Sequence, residues 1–400
     1  MQITAGSWRS ILTLYLFGVM GASTVSKLVP LGAVLAGQFG TTPAQFGWLV
    51  SLVALPAVIL AIPSGLLVDR YGPRRVINAA AALGVAANLV YFVAPSQLWM
   101  QLARVLEGTA IVHLYTAVPA FLMTTCSGPR RATAMTVWAT YMPTGTAVGL
   151  LLAGAFVGTP IWRDLFLVHG GLYAAVALLN LQQPRLPDLP SGAAVPSLAQ
   201  RLQGLKDAYS RPALLLLALA FFLMISLGFG ANTTFPGYFA QLHHTSVAVT
   251  AGALALGTLL MIPGSLGVGA LIARGFTQRQ VFLGLGVVGA VAGSLSFHPA
   301  LPVGGRAILV GLWFMVSGAS IATLMATLPL VAEPARRGAA AALMNQSAAT
   351  ATFVNPPIWL PLAAAGAGWL AFGSLMVGAW VVAVASVWIM ALFTKPEATT

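Results

Sequence analysis

Long apolar blocks alternate with short polar breaks along the whole chain. A bilayer crossing takes about 20 consecutive apolar residues. Measured with that length, the chain gives twelve spans at roughly 11–36, 44–66, 76–95, 98–124, 131–156, 162–181, 212–240, 248–273, 280–297, 303–331, 338–363 and 368–392. The predicted fold class is an all-α membrane protein of twelve transmembrane helices. A stretch rich in Pro, Ser and charge separates the sixth span from the seventh and reads as a cytoplasmic linker at 183–211. A short amphipathic helix is expected there, from Ser197 to Tyr209. The domains are then a six-helix bundle at 1–182, the linker, and a second six-helix bundle at 212–400.

Composition supports lipid exposure. Of 400 residues, 58% are apolar and 6% charged, against roughly a quarter charged in soluble domains. The net charge of +12 comes with no basic stripe carrying interleaved aromatics, so nucleic acid is not an expected partner. The basic residues instead mark topology. Of 19 Lys and Arg, 15 fall on one side: Arg9, Arg70, Arg74, Arg75, Arg130, Arg131, Arg185, Arg201, Lys206, Arg211, Arg274, Arg279, Arg336, Arg337 and Lys395. Both termini are therefore expected in the cytoplasm. The first apolar run continues without a cleavage-site pattern and reads as the first span. The single cysteine, Cys126, excludes an internal disulfide.

The chain faintly repeats itself. "GLLVDRYGPRR" from Gly65 returns as "GALIARGFTQR" from Gly269, and "RVLEG" at Arg104 returns as "RAILVG" at Arg306. Two six-helix halves in parallel repeat are one transporter architecture. In its first copy the loop motif places Gly65, Leu67, Asp69, Arg70, Gly72, Arg74 and Arg75 between the second and third spans. On these residues the chain resembles the major facilitator superfamily over essentially its whole length. The resemblance implies two pseudo-symmetric bundles that alternate access to a central site. It also implies a gate at Gly65, Asp69, Arg70, Gly72 and Arg74, with Asp69 meeting the positive end of the helix that starts near Arg337. A positive-inside loop with a structural glycine turn is the plainer alternative.

Charged side chains inside a span normally face a partner or a cavity. Lys27, Arg104 and Glu107 meet that description, and Arg104 and Glu107 share a helix face at i,i+3. Depth along the helices allows Lys27 and Glu107 to meet. They form either a static ion-pair network or a proton-responsive one. "RVLEG" resembles the family's Arg-x-x-x-Gly pattern, whose arginine takes part in coupling, and Glu107 stands where the family often has glutamine. Lys27, Arg104, Tyr115, Trp138, Tyr141, Asn232, Arg306, Asn345 and Gln346 are candidate substrate contacts. The polar ones among them serve equally as helix–helix hydrogen bonds. Cations outnumber acids in these spans, which favours an anionic solute such as a carboxylate.

No nucleotide loop, metal-protease helix or nucleophile elbow occurs, so an enzyme is not expected and no cofactor or metal is implied. Selectivity-filter loops are likewise missing. The expected function is secondary transport of a small organic anion, coupled to protons, across the bacterial inner membrane by a monomer. The alternative is proton-antiport efflux of drugs or metabolites. It is disfavoured by "MPTGTAVG" in the fifth span, where drug antiporters often carry Gly-Pro-x-x-Gly-Gly, and by Lys27 in place of an acid in the first.

Overall fold

Prolines decide where the helices break. In the computed structural model, which describes residues 3–184, 198–333 and 337–393, helix α1 (Trp8–Ser26) ends four residues before Pro30. Proline has no N–H for the carbonyl four positions earlier, and its ring clashes there. One 3₁₀ turn, Val29–Leu31, then leads into α2 (Gly32–Phe39). The same spacing ends α7 (Gly128–Ala139) four residues before Pro143 in α8 (Tyr141–Phe156), and α12 (Val247–Leu259) four before Pro263 in α13 (Met261–Ala273). Between α3 (Pro43–Ser51) and α4 (Leu55–Tyr71), a 3₁₀ turn precedes Pro56. Pro356-Pro357, expected to break the eleventh span, separates α16 (Arg337–Val354) from α17 (Pro356–Ala364). Asn355 at that break donates to Ser226 Oγ at 2.9 Å.

The remaining helices are α5 (Pro73–Val93), α6 (Gln97–Thr125), α9 (Asp164–Asn180), α10 (Leu198–Tyr209), α11 (Pro212–Leu242), α14 (Gln278–Leu295), α15 (Val303–Val331) and α18 (Trp369–Met390). Among the described residues there is no strand, and the helices fall on the twelve expected spans within a few residues. Among the described residues, eight helical stretches are individually long and apolar enough to cross a membrane. The linker helix α10 matches the expected amphipathic segment. Arg185, Arg336 and Lys395, and the linker between 185 and 197, lie outside the described residues.

The internal repeat is visible in the elements. α6 and α15 both have 29 residues, with starts 206 positions apart (303 less 97). The turn between α4 and α5 rests on Gly72 at φ +79°, and that between α13 and α14 on Gly275 at φ +92°. Both angles lie where a side chain is strained, so glycine is needed. By contacts the chain divides into two compact units, Met1–Leu198 with Phe235–Ala255, and Ala199–Thr234 with Leu256–Thr400. In the first unit, Ile11, Phe17, Leu114, Phe121 and Tyr173 share one buried cluster. α8 lies close along α1 because a Cβ on Gly145 would strike Val19 O and Ala22, and one on Gly149 would strike Ser23 and Ser26. In the second unit, Gly264 and Gly318 bring α13 and α15 together in the same way.

Candidate functional site: a buried charge cluster

The break after Ser26 sets the site. Lys27 is the first residue beyond α1, and its side chain is fully buried. An ammonium has three donors and no acceptor. All three donors are matched: Glu107 Oε1 at 2.5 Å, Asn88 Oδ1 at 2.6 Å and His169 Nδ1 at 3.0 Å. The Nζ also lies 5.1 Å from the Tyr91 ring centre and 5.2 Å from that of Phe166. These two rings stack 4.6 Å apart, so the cation is framed by π faces.

Arg104 links three elements. Its Nη1 donates to Thr24 O at 2.7 Å and reaches Glu107 Oε2 at 3.3 Å, while Nη2 donates to Val25 O at 3.0 Å and Val50 O at 3.2 Å. Those carbonyls belong to the last turns of α1 and α3, both left without a regular helix continuation by Pro30 and Pro56. A guanidinium at two helix C-termini satisfies orphan acceptors and the negative ends of both dipoles. Lys27 and Arg104 are 0% exposed and Glu107 is 1%. Two buried cations thus share one carboxylate.

Sequence reading missed Asn88, His169, Tyr91 and Phe166. Asn88 Nδ2 donates to Gly84 O at 2.8 Å, which turns Oδ1 toward Lys27 and toward His169 Nδ1 at 3.1 Å. His169 Nε2 lies 2.8 Å from Ser23 Oγ. Depth could have found both residues. Asn88 sits five positions before the end of α5 and His169 five after the start of α9, a polar pair at matching height.

The other candidates fall elsewhere. Tyr115, Trp138 and Tyr141 form one aromatic group, with ring centres 4.8 Å (Tyr115–Tyr141) and 4.4 Å (Trp138–Tyr141) apart, packed on Gly18 and Gly21 of α1. In the second unit Asn232 is half-buried, Asn345 is exposed, and Gln346 accepts from the Tyr209 hydroxyl at 2.9 Å. Arg306 is buried and donates to Ser296 O, to His298 O at 2.9 Å and to Leu301 O at 3.3 Å. It closes the turn between α14 and α15. The helix register, offset by 206, pairs Arg104 with Val310 and not with Arg306, so the echoed motif sits about one turn nearer its helix start. In the loop motif, Gly65 and Asp69 are half-buried, Arg70 lies 5.2 Å over the Tyr71 ring, and Arg74 donates to Leu181 O at 2.6 Å. His113, discounted on its helix face, is half-buried and, like Arg75, lines a groove of about 310 Å³, with Nδ1 on Thr109 O at 2.7 Å. A larger apolar groove of about 780 Å³ runs between α14 and α18. Neither groove contains the charge cluster, in which Lys27, Arg104, Glu107 and His169 converge in full burial. Among the described residues no three His, Cys, Asp or Glu are grouped to hold a metal.

The family profile described as Major Facilitator Superfamily matches residues 11–356. The chain belongs to the Major Facilitator Superfamily. It is a multi-pass membrane protein with that family's twelve-span fold in two six-helix halves. Among solved structures, this superfamily member is similar to a bacterial homolog of the human lysosomal transporter Spinster in its inward-facing, unoccupied conformation. That match has a TM-score of 0.72 at 17% identity and covers 96% of this chain and 95% of that one. Among characterised relatives, it is 28% identical to the cephamycin export protein CmcT of Amycolatopsis lactamdurans over 39% of this chain and 32% of that protein. It is 31% identical to the drug efflux pump JefA of Mycobacterium tuberculosis over 36% and 28%, and 25% identical to the fatty acid resistance protein FarB of Neisseria gonorrhoeae over 38% and 29%. The matched region spans about a third of the length of these relatives.

Proposed function

We propose that the chain is a proton-coupled secondary transporter of a small organic anion, carboxylates being the favoured class, in the bacterial inner membrane with both termini cytoplasmic. Lys27, Arg104 and Glu107 are its coupling element. The observation that carries this reading is the Lys27–Glu107 pair, 2.5 Å apart with both side chains buried. Glu107 is the carboxylate that both Lys27 and Arg104 contact. Protonating Glu107 would remove the anion that Lys27 and Arg104 share and loosen α1 from α6. Gly65, Asp69, Arg70, Gly72 and Arg74 would gate, Tyr115, Trp138 and Tyr141 would contact solute in the first unit, and Asn232, Asn345 and Gln346 are candidate contacts in the second. Arg306, engaged by three carbonyls, supports a contribution through its helix turn.

An anionic solute fits a deep region where two cations face one acid. The names of the relatives favour export over uptake: a cephamycin exporter, a drug efflux pump and a fatty acid resistance protein. A fatty acid is itself a carboxylate, so export and anion transport are compatible. Efflux of lipophilic cations is the second reading, favoured by a methyl viologen resistance protein among the relatives, 24% identical over 40% of this chain.

The test is counterflow in proteoliposomes with a panel of carboxylates, amino acids and cationic dyes at two internal pH values. Carboxylate movement that follows the proton gradient is expected. Movement of dyes alone would overturn the anion reading, and indifference to the gradient would overturn proton coupling.

A further inference from the structure

His169 stands apart from the residues that sequence motifs suggest. It is fully buried on α9, and both ring nitrogens have polar neighbours. An ammonium cannot accept a hydrogen bond, so Nδ1 accepts from Lys27 and Nε2 carries the ring hydrogen. Nε2–H then donates to Ser23 Oγ, whose own hydroxyl donates to Met20 O at 2.8 Å. Asn88 Oδ1 lies 2.6 Å from Lys27 Nζ and 3.1 Å from His169 Nδ1. Its orientation is set by the bond from Nδ2 to Gly84 O. A hydrogen on Nδ1 would thus meet an acceptor already in place. The pocket offers a carbonyl or hydroxyl oxygen to each N–H of an imidazolium.

We propose that His169 is a second proton-binding site of the transporter, loaded from Lys27 across the 3.0 Å contact while Asn88 Oδ1 accepts from whichever nitrogen holds the proton. The proposal rests on the proton-coupled reading above and adds a site on α9 to it. In the step, one Nζ–H bond of Lys27 breaks and its electron pair stays on nitrogen. The Nδ1 lone pair forms the new N–H bond. The charge moves from ammonium to imidazolium with the cluster's total unchanged, and a net proton is bound when a proton from solution restores the Lys27 ammonium. Lys27, now an amine, still donates to Glu107. Ser23 and Lys27 from α1 and its end and Asn88 from α5 contact the ring, Tyr173 faces it from α9 itself, and Glu107, Arg104 and Tyr91 join the same cluster through Lys27. Tyr173 stands edge-on to His169 at 5.3 Å. Arg104 is fixed by carbonyls of α1 and α3, so among the cations only Lys27 is placed to hand over a proton. The transfer moves charge from the α1–α6 contact toward α9, which gives an event on Glu107 a route to a third helix.

The full chain, labelled with ¹⁵N in histidine rings and lysine side chains and held in lipid nanodiscs, reads this directly by NMR. The protein has five histidines, so the difference from His169→Gln assigns the signals. At alkaline pH one protonated and one bare ring nitrogen are expected. As the pH falls both ring nitrogens become protonated while the Lys27 signal changes with them, and Asn88→Leu abolishes that change. A His169 that keeps one neutral tautomer from about pH 5 to 9 would overturn the site. In proteoliposomes, His169→Gln is expected to lose about tenfold of the gradient-driven carboxylate rate, an effect of 1.4 kcal/mol or so on the barrier. An unaltered pH profile in that variant would also sink the proposal. If the wild-type chain transports without regard to proton gradients while His169 still titrates, coupling fails but the site stands.

Discussion

Arginine has a recurring use in this protein that its charge alone does not suggest. Arg104, Arg163, Arg131, Arg74 and Arg306 each donate to backbone carbonyls at or beyond the end of a helix. The guanidinium carries its donors in a rigid planar fork that suits neighbouring carbonyls, whereas an ammonium is a compact point charge. Rarity made Lys27, Arg104 and Glu107 legible in the sequence, because an ion in an apolar run needs a partner. Asn88 and His169 were not legible by that rule, since their roles arise from α5 and α9 meeting at one height. Arg306 looked like a cavity residue because a motif echo says nothing about helix register. Removing one member of a buried pair leaves an uncompensated charge, at about 3–5 kcal/mol. Glu107→Gln should therefore lower the thermal midpoint in detergent by several degrees. Lys27→Met combined with Glu107→Gln should recover a good part of that loss, and a double variant less stable than Glu107→Gln would contradict the pairing.

At the scale of elements, span count and span edges followed from apolar length alone, while the interruptions depended on prolines whose consequence is local. Pro30, Pro143 and Pro263 each leave the carbonyl four residues earlier without its usual partner, and α1, α7 and α12 end there. The break at Pro30 leaves Thr24 O and Val25 O in a terminal turn and the break before Pro56 does the same for Val50 O, so two helix defects supply the carbonyls that hold Arg104. Close approach of α8 to α1 needs Gly145 and Gly149. Gly149→Val would drive a branched side chain into Ser23 and Ser26 and should cost about 1–3 kcal/mol or prevent folding. Gly378 in α18 has nothing near its missing Cβ, so Gly378→Ala should fall within about 0.5 kcal/mol of the parent. Comparing the two by thermal unfolding separates a packing requirement from a general intolerance of helix glycines.

Over the whole molecule the two repeats have diverged in charge while keeping their helices. Among the described residues, Lys27, Arg104, Glu107 and His169 gather in the first unit. The deep polar groups of α15 in the second are neutral: Ser317, Ser320, Thr323 and Thr327 each bond back to their own helix or stay within it. The loop motif carried the family resemblance because its first copy sets glycines and charges in one short turn, whereas the asymmetry of charge emerges only when both repeats are set in helix register. That asymmetry has an electrical consequence. The cluster carries one uncompensated positive charge, and a transmembrane voltage exerts up to about 2.3 kcal/mol per 100 mV on a charge that traverses the full field. Voltage thus works on the first repeat like a hand on one blade of a pair of shears. Under imposed potassium diffusion potentials, the logarithm of the transport rate should vary with voltage in the wild-type chain and in Arg306→Gln. Its slope should be smaller in Lys27→Met, whose cluster no longer offers the field a net charge to pull.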